Sequence, residues 1–279
     1  MKKGIHQWSF PETMSIKDRI RLAKDAGFDG IELMIHPDKG ISLESSVKGL
    51  SELRNFANDV GLEIKTISFK YLNWLTSNDK EKRFNAVQNI SKALEIAKHL
   101  EAETLLVIVG GVDVSIFDPS EEIVSYDNAY VNAIEGLKEL IPVAEKFNVD
   151  IGIENVPTKF IMSPLEFARI IDEVGNSMIG AYLDVGNARM FGYPEQWIRI
   201  LGTRIKKVHI KDFKAKIGTI SGFAPLLEGD VNWKEVIKAF NEVGYNNYLT
   251  AEILPPFKFF PEILIYNTSK CLDSIIKGT

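Results

Sequence analysis

Eight short β-rich runs, each followed by a helical pattern, predict a single α/β domain, residues 1–279, folded as a (β/α)8 TIM barrel. Two further observations support this class. The 279 residues match one such barrel with modest insertions, roughly 250 residues. The segment after the first run, Phe10-Pro11-Glu12-Thr13, lacks the glycine-rich phosphate loop that a doubly wound open sheet normally carries there.

In chain order the expected strands are Gly4–Ser9, Gly30–Ile35, Glu63–Phe69, Thr104–Val109, Asp150–Val156, Ile179–Asp184, Lys206–Ile210 and Tyr248–Ile253. The segments between them repeat apolar residues at three- and four-residue steps, the period of a helix with one buried face. Ser15–Ala26 puts Ile16, Ile20, Ala23 and Ala26 on one face, and Lys80–Leu100 does so with Phe84, Val87, Ile90, Leu94 and Ala97. Pro142 interrupts the pattern of Tyr130–Phe147 and predicts a kink or a split helix there. Ala26-Gly27-Phe28, Val60-Gly61-Leu62 and Val243-Gly244-Tyr245 place a glycine where a helix must end in a left-handed residue before a strand begins. No linker or composition shift divides the chain. The longest irregular stretch, Gly110–Asp127, is expected to lie over the barrel mouth, where insertions collect.

With 45% hydrophobic and 25% charged residues and a net charge of -5, the composition is that of a soluble globular protein. Mild acidity argues against a nucleic-acid-binding surface, which shows a basic stripe. Cys271 is the single cysteine, so no internal disulfide forms and an oxidising compartment is not indicated. The start, MKKGIHQWSF, enters a strand-like run, and no stretch reaches the roughly 20 apolar residues of a membrane span. The expectation is a cytoplasmic enzyme with neither nucleic acid nor membrane as partner.

Four strand ends carry ionisable residues inside apolar runs: Ile153-Glu154-Asn155, Leu183-Asp184-Val185-Gly186-Asn187, Val208-His209-Ile210-Lys211-Asp212 and Ala251-Glu252-Ile253. Side chains alternate across a strand. If Ile153, Leu183, Val208 and Ile253 face the helical shell, then Glu154, Asp184, His209 and Glu252 face the axis and meet at the C-terminal mouth. Any one acid alone would equally cap a helix or pair with a lysine, but four in successive units converge. Three carboxylates around one imidazole repel one another unless a cation joins them. A donor set of oxygens with one nitrogen suits a divalent ion: Mn²⁺ first, with Mg²⁺, Co²⁺ and Zn²⁺ as alternatives.

In these motifs the chain resembles the xylose isomerase-like TIM barrel superfamily of sugar and sugar-phosphate isomerases and epimerases. The resemblance runs from Gly27-Phe28-Asp29-Gly30-Ile31-Glu32 to Leu227-Glu228-Gly229-Asp230-Val231-Asn232-Trp233. It is nearest to the ketose and ketose-phosphate 3-epimerases, to which Asp-Val-Gly-Asn (184–187) and His-Ile-Lys-Asp (209–212) look particularly similar. The resemblance implies metal ligation by Glu154, Asp184, His209 and Glu252. It also implies a second role for Glu154 and Glu252, as general acid and base on either face of a metal-stabilised enediolate. Endonuclease IV, a member with a trinuclear zinc site and several further histidines, is a poorer match, because this chain has only His6, His36, His99 and His209. The free-sugar epimerases usually carry a substrate-contacting histidine near position 187, where this chain has Asn187.

Around this centre His6, Trp8, Asn187, Arg189 and Lys211 are the candidate substrate-binding residues. His6 and Trp8 share one face of the first strand, and Trp8 is placed to wall the sugar's carbon chain or to pack in the core. Lys211 either contacts a substrate oxygen or pairs with Asp212 or Glu252. Arg189 and Lys211 are the candidate anion contacts, from which phosphorylated substrates are expected to outperform free sugars. Glu32 is assigned to a lysine or a helix N-terminus, His36 to a supporting or solvent-facing place. Phe69, Tyr71 and Trp74 form an aromatic rim that packs a loop or meets a second copy of the chain in a homo-oligomer. The expected substrate is a small sugar or sugar phosphate. The competing readings are a metal-dependent dehydratase or isomerase of an inositol- or shikimate-like polyol, and a barrel that binds a sugar without turning it over.

Overall fold

The strands form where the apolar runs are, as a computed structural model shows for residues 1–69 and 74–278. They are β1 (Lys2–His6), β2 (Gly30–Ile35), β3 (Glu63–Phe69), β4 (Thr104–Val107), β5 (Asp150–Glu154), β6 (Ile179–Asp184), β7 (Ile205–Ile210), the two-residue β8 (Asp212–Phe213) and β9 (Phe223–Ala224), and β10 (Tyr248–Ala251). β1 to β7 and β10 close into a barrel in the order β1-β10-β7-β6-β5-β4-β3-β2. Neighbours run parallel, for example Glu154 opposite Tyr182 and Asp184 opposite His209. β8 and β9 form a separate antiparallel pair beyond the end of β7.

Nine helices of the described residues lie between or after the strands: α1 (Ile16–Asp25), α2 (Val47–Val60), α3 (Lys80–His99), α4 (Tyr126–Phe147), α5 (Pro164–Val174), α6 (Val185–Phe191), α7 (Pro194–Leu201), α8 (Trp233–Glu242) and α9 (Pro261–Lys277). α1 to α5, α7, α8 and α9 touch in turn and α9 returns to α1, so they ring the barrel, while α6 packs against α7. Their starts are fixed by side chains that accept a first-turn N–H: Ser15 from Asp18, Ser46 from Gly49, Asp79 from Glu81 and Ser163 from Glu166. Gly27, Gly61 and Gly244 have φ of 86°, 76° and 74°, the left-handed geometry expected of the three α-turn-β units. No helix among the described residues is long and apolar enough to cross a membrane.

Several expectations change in detail. β1 ends at His6 rather than continuing to Ser9, because His6 Nδ1 accepts the Trp8 N–H and turns residues 7–9 into a 3₁₀ helix. α4 runs unbroken through Pro142, so of the kink or split expected there the split does not occur. Phe84 lies on the outer surface of α3, 60% exposed, while Val87, Ile90, Leu94 and Ala97 are buried. β10 stops one residue short of Glu252, whose N–H still bonds Ile210 O (3.1 Å), while the Ile253 N–H bonds Ser9 Oγ (2.9 Å). The long loop spans residues 108–125 and ends where α4 begins. Tyr71 lies outside the described residues.

Candidate metal centre and substrate cavity

β5, β6, β7 and β10 bring Glu154, Asp184, His209 and Glu252 together, all buried, with one donor atom of each within 4.8 Å of the others. The local structure explains each placement. Asp184 closes β6 and caps α6, its Oδ1 accepting the Asn187 N–H at 2.7 Å. Asn155, at the end of the neighbouring strand, clamps the same residue twice. Its Oδ1 accepts the Asp184 N–H (2.8 Å) and its Nδ2 donates to Asp184 O (3.0 Å). His209 lies with Nδ1 3.1 Å from Glu154 Oε1 and 4.0 Å from Asp184 Oδ2. Lys211, two residues on and therefore on the same face, sets its ammonium 2.6 Å from Glu252 Oε2 and 2.9 Å from Asp184 Oδ2. It pairs with these two and not with Asp212.

Burial and charge pull the groups in different directions. Burial, with repulsion from Glu252 and Asp184, raises the Glu154 carboxyl to about 7 against the pull of His209. Burial likewise raises Asp184, though Lys211 and His209 oppose it. At Glu252 burial is outweighed by Lys211 and His209, which hold it at about 2. Burial would lower the Lys211 ammonium, but Asp184 and Glu252 overcome it and raise its pKa. His209 is raised well above its ordinary value, because Glu32, Glu252 and Glu154 outweigh the burial that would lower it.

The residues fit a divalent ion. The donor set is three carboxylates and an imidazole. Asp184 Oδ2 is buried and accepts no hydrogen bond, although the Lys211 ammonium is at ion-pair distance. Such an oxygen is costly to bury unless a cation faces it. The Lys211 ammonium neutralises two of the three acids, as a cation at this point must.

Above the four residues open two adjoining cavities, of about 560 Å³ and about 420 Å³, both walled by Trp8, Ile108, Ile116 and Phe117 and both reaching Glu154 and Glu252. Ile108, Ile116 and Phe117 come from the 108–125 loop, which therefore does lie over the mouth. His6 lines the smaller cavity, Asn187 and Lys211 the larger. Two buried polar atoms on these walls have no hydrogen-bond partner among the described residues: Asn187 Oδ1, an acceptor, and Trp74 Nε1, a donor. Phe69 and Trp74 are buried in the smaller cavity's wall. Arg189 lines neither; its guanidinium bonds Asp230 O (3.2 Å) and Gly192 O (3.2 Å). Trp8 keeps its place against the cavity although it has left the strand.

Glu32 departs from its expected role. Among the described residues it has neither a lysine nor a helix end as partner, but lies buried on the barrel axis against His209. His36 accepts the Asp38 N–H at Nδ1 and lines a smaller groove that shares Trp8 and Met34 with the main cavities. Sequence reasoning also passed over Asn155, Thr66 and Tyr182. The signal for Glu32 was present, since Ile31-Glu32-Leu33 interrupts an apolar run just as Ile153-Glu154 does.

Residues 20–262 match the model of a family described as xylose isomerase-like TIM barrel. An L-ribulose-5-phosphate 3-epimerase, UlaE, of Shigella boydii serotype 18 is 24% identical over 247 residues, 87% of this chain and 83% of that protein. The crystal structure of D-psicose 3-epimerase with D-tagatose from Clostridium cellulolyticum H10 superposes with a TM-score of 0.81. It is 18% identical and the match covers 98% of this chain and 97% of that one. The structure of the IOLI protein with a zinc atom superposes with a TM-score of 0.83 at 18% identity, over 100% of this chain and 99% of that one. These two likenesses are of fold.

Proposed function

Since the chain belongs to the xylose isomerase-like TIM barrel family, we propose that it is a metal-dependent ketose 3-epimerase, with residues 1–279 as one catalytic domain. The observation that carries this reading is the convergence of Glu154, Asp184, His209 and Glu252 at the floor of the cavity. These four would hold the ion, Mn²⁺ in the first instance. When bound, it would polarise the substrate's carbonyl oxygen and lower the cost of negative charge there.

The chain's own residues do the rest. Glu154 ends β5 and Glu252 directly follows β10, with β6 and β7 between them in the barrel order, so they reach a sugar carbon from two sides. One takes the proton from the carbon next to the carbonyl, the other returns a proton to the opposite face, and the roles exchange in the reverse direction. Glu252 Oε2 accepts from the Lys211 ammonium, which fixes that carboxylate, and Glu154 Oε1 lies 3.1 Å from His209 Nδ1, so both face the point where the ion would sit. Asn187 Oδ1 would accept a substrate hydroxyl and Trp74 Nε1 would donate to a substrate oxygen, each gaining the partner it lacks among the described residues. Trp8, Phe117 and Ile116 exclude water from the reacting carbons. The UlaE relative, named for L-ribulose 5-phosphate, supports a ketose or ketose-phosphate substrate, and the single cysteine a cytoplasmic setting.

A panel of ketoses incubated in D₂O with the chelated and the Mn²⁺-loaded protein tests the reading. We expect one deuterium to enter the epimerised carbon without loss of water, only in the loaded protein. Release of water from a polyol acid or inosose, or equal exchange after exhaustive chelation, would overturn it.

A further inference from the structure

We infer that Glu32 is a positioning residue for the metal centre, holding the His209 ring so that Nδ1 is the nitrogen offered to the ion. This rests on reading Glu154, Asp184, His209 and Glu252 as a metal site.

The argument begins with Glu32's surroundings. Its side chain is fully buried near the barrel axis, on β2, in register with His6 of β1 and Thr66 of β3. An ionised carboxylate only accepts hydrogen bonds, so every polar hydrogen around it must point inward. Oε2 is taken by two hydroxyls, Thr66 Oγ1 at 2.7 Å and the Tyr182 OH. Oε1 lies 3.2 Å from His209 Nε2 and 3.5 Å from His6 Nε2. His6 is already committed: its Nδ1 accepts the Trp8 N–H at 3.1 Å, so its proton is on Nε2, 2.8 Å from Ser68 Oγ. Glu32 Oε1 is therefore the acceptor for His209.

Two consequences follow for His209. Its Nε2 must carry hydrogen, because Glu32 offers no proton to it. Its Nδ1 is then the nitrogen whose lone pair can serve as a ligand, and that nitrogen is the one facing Glu154 Oε1 and Asp184 Oδ2. A carboxylate behind a ligating imidazole fixes tautomer and ring orientation and raises the ring's basicity toward a metal. The two hydroxyls keep Glu32 from swinging its charge toward the ion itself, which explains why an acid so near the centre belongs behind the ring rather than among the ligands.

The full chain, stripped of metal, would be titrated with Zn²⁺ against a competing chelator, and the zinc-loaded protein would be examined by long-range ¹H–¹⁵N correlation of its histidine rings. Wild type should bind Zn²⁺ and show His209 protonated at Nε2 and metallated at Nδ1. Glu32→Gln should weaken Zn²⁺ binding about 10–100-fold. Tyr182→Phe, which removes one hydroxyl and keeps the ring, should weaken it in the same direction by less, and covers the case in which Glu32→Gln does not fold. Metallation at Nε2, or a folded Glu32→Gln or Tyr182→Phe protein binding Zn²⁺ as tightly as wild type, would overturn the positioning role and leave the site itself standing. Wild type that takes up no Zn²⁺, in a preparation whose Asp184→Asn variant behaves identically, would overturn the site and this role with it.

Discussion

Replacing Lys211 by methionine should make the metal-free protein much less stable and make added metal a stronger stabiliser than in wild type. The ammonium lies 2.6 Å from Glu252 Oε2 and 2.9 Å from Asp184 Oδ2, in a residue 8% exposed facing two buried carboxylates. Methionine keeps most of the stem that passes Gly186 and loses the ammonium, which also lies 4.6 Å from the centre of the Phe223 ring, so the change removes charge more than volume. Removing one partner of a buried pair costs about 3–5 kcal/mol, because the remaining charge is left uncompensated. For a chain of this size each kcal/mol moves the melting temperature by roughly 2 °C, so in chelator the variant should melt about 6–10 °C below wild type. An ion at a hundred times its dissociation constant contributes about 2.7 kcal/mol. That contribution should be larger in Lys211→Met, where the ion meets two unneutralised carboxylates instead of a resident ammonium. The assay is thermal unfolding of both proteins in chelator and in matched Mn²⁺. A variant within about 2 °C of wild type in chelator, or an equal Mn²⁺ gain in both proteins, would refute the reasoning.

Three further outcomes are expected. Glu154→Gln should block proton exchange starting from one epimer and Glu252→Gln from the other, with interconversion falling at least about 10²-fold in each; metal content measured alongside separates lost ligation from lost proton transfer, and near-normal interconversion in a metal-replete variant would exclude two bases. Asn187→Leu, which removes the unpartnered acceptor, should raise KM about tenfold, one hydrogen bond's worth, with kcat little changed, and an unaltered KM would remove Asn187 from the substrate site. Free ketoses should be turned over with higher kcat/KM than their phosphate esters, the reverse of the sequence-based expectation, because Arg189 is bound to backbone carbonyls and Lys211 to two acids while the shared cavity wall is apolar; a phosphate ester that outperforms its parent ketose would reverse this.

The barrel was readable because its rules are local. Strand runs, glycine stops and helix caps are each written within a few residues, and eight repetitions leave one closed parallel sheet as the arrangement that buries them all. The four converging residues were readable for a related reason: alternation assigns a face, and the barrel brings the C-terminal ends of its strands together. What alternation cannot give is the partner. Glu32 carries the same signature as Glu154, yet its role depends on His209 and Tyr182, 177 and 150 residues away across the axis. The partners of Arg189 were hidden for a different reason. A long side chain beside a site has many carbonyls within reach, and its spacing from Asp184 says nothing about which it takes.

The tetrapeptides 184–187 and 209–212 were recognisable as patterns before their physical meaning was visible, and the structure makes them one device. Asp184 and His209 pair in register on adjacent strands. Two residues beyond Asp184, a Cβ on Gly186 would come within 2.4 Å of Lys211 Cγ and 2.9 Å of Lys211 O, so a glycine is needed for the lysine stem to pass. That stem delivers its ammonium back to Asp184 Oδ2. The last residue of the second motif works outward instead: Asp212 accepts the N–H groups of Phe213, Leu227 and Val231 and the indole N–H of Trp233. It thereby ties down residues 227–233, the segment in which the family resemblance ended. The spacing of the motifs is therefore set by contacts between them, with one acid and one imidazole facing the cavity floor, a lysine that neutralises two carboxylates, and a second acid that anchors the loop beside it.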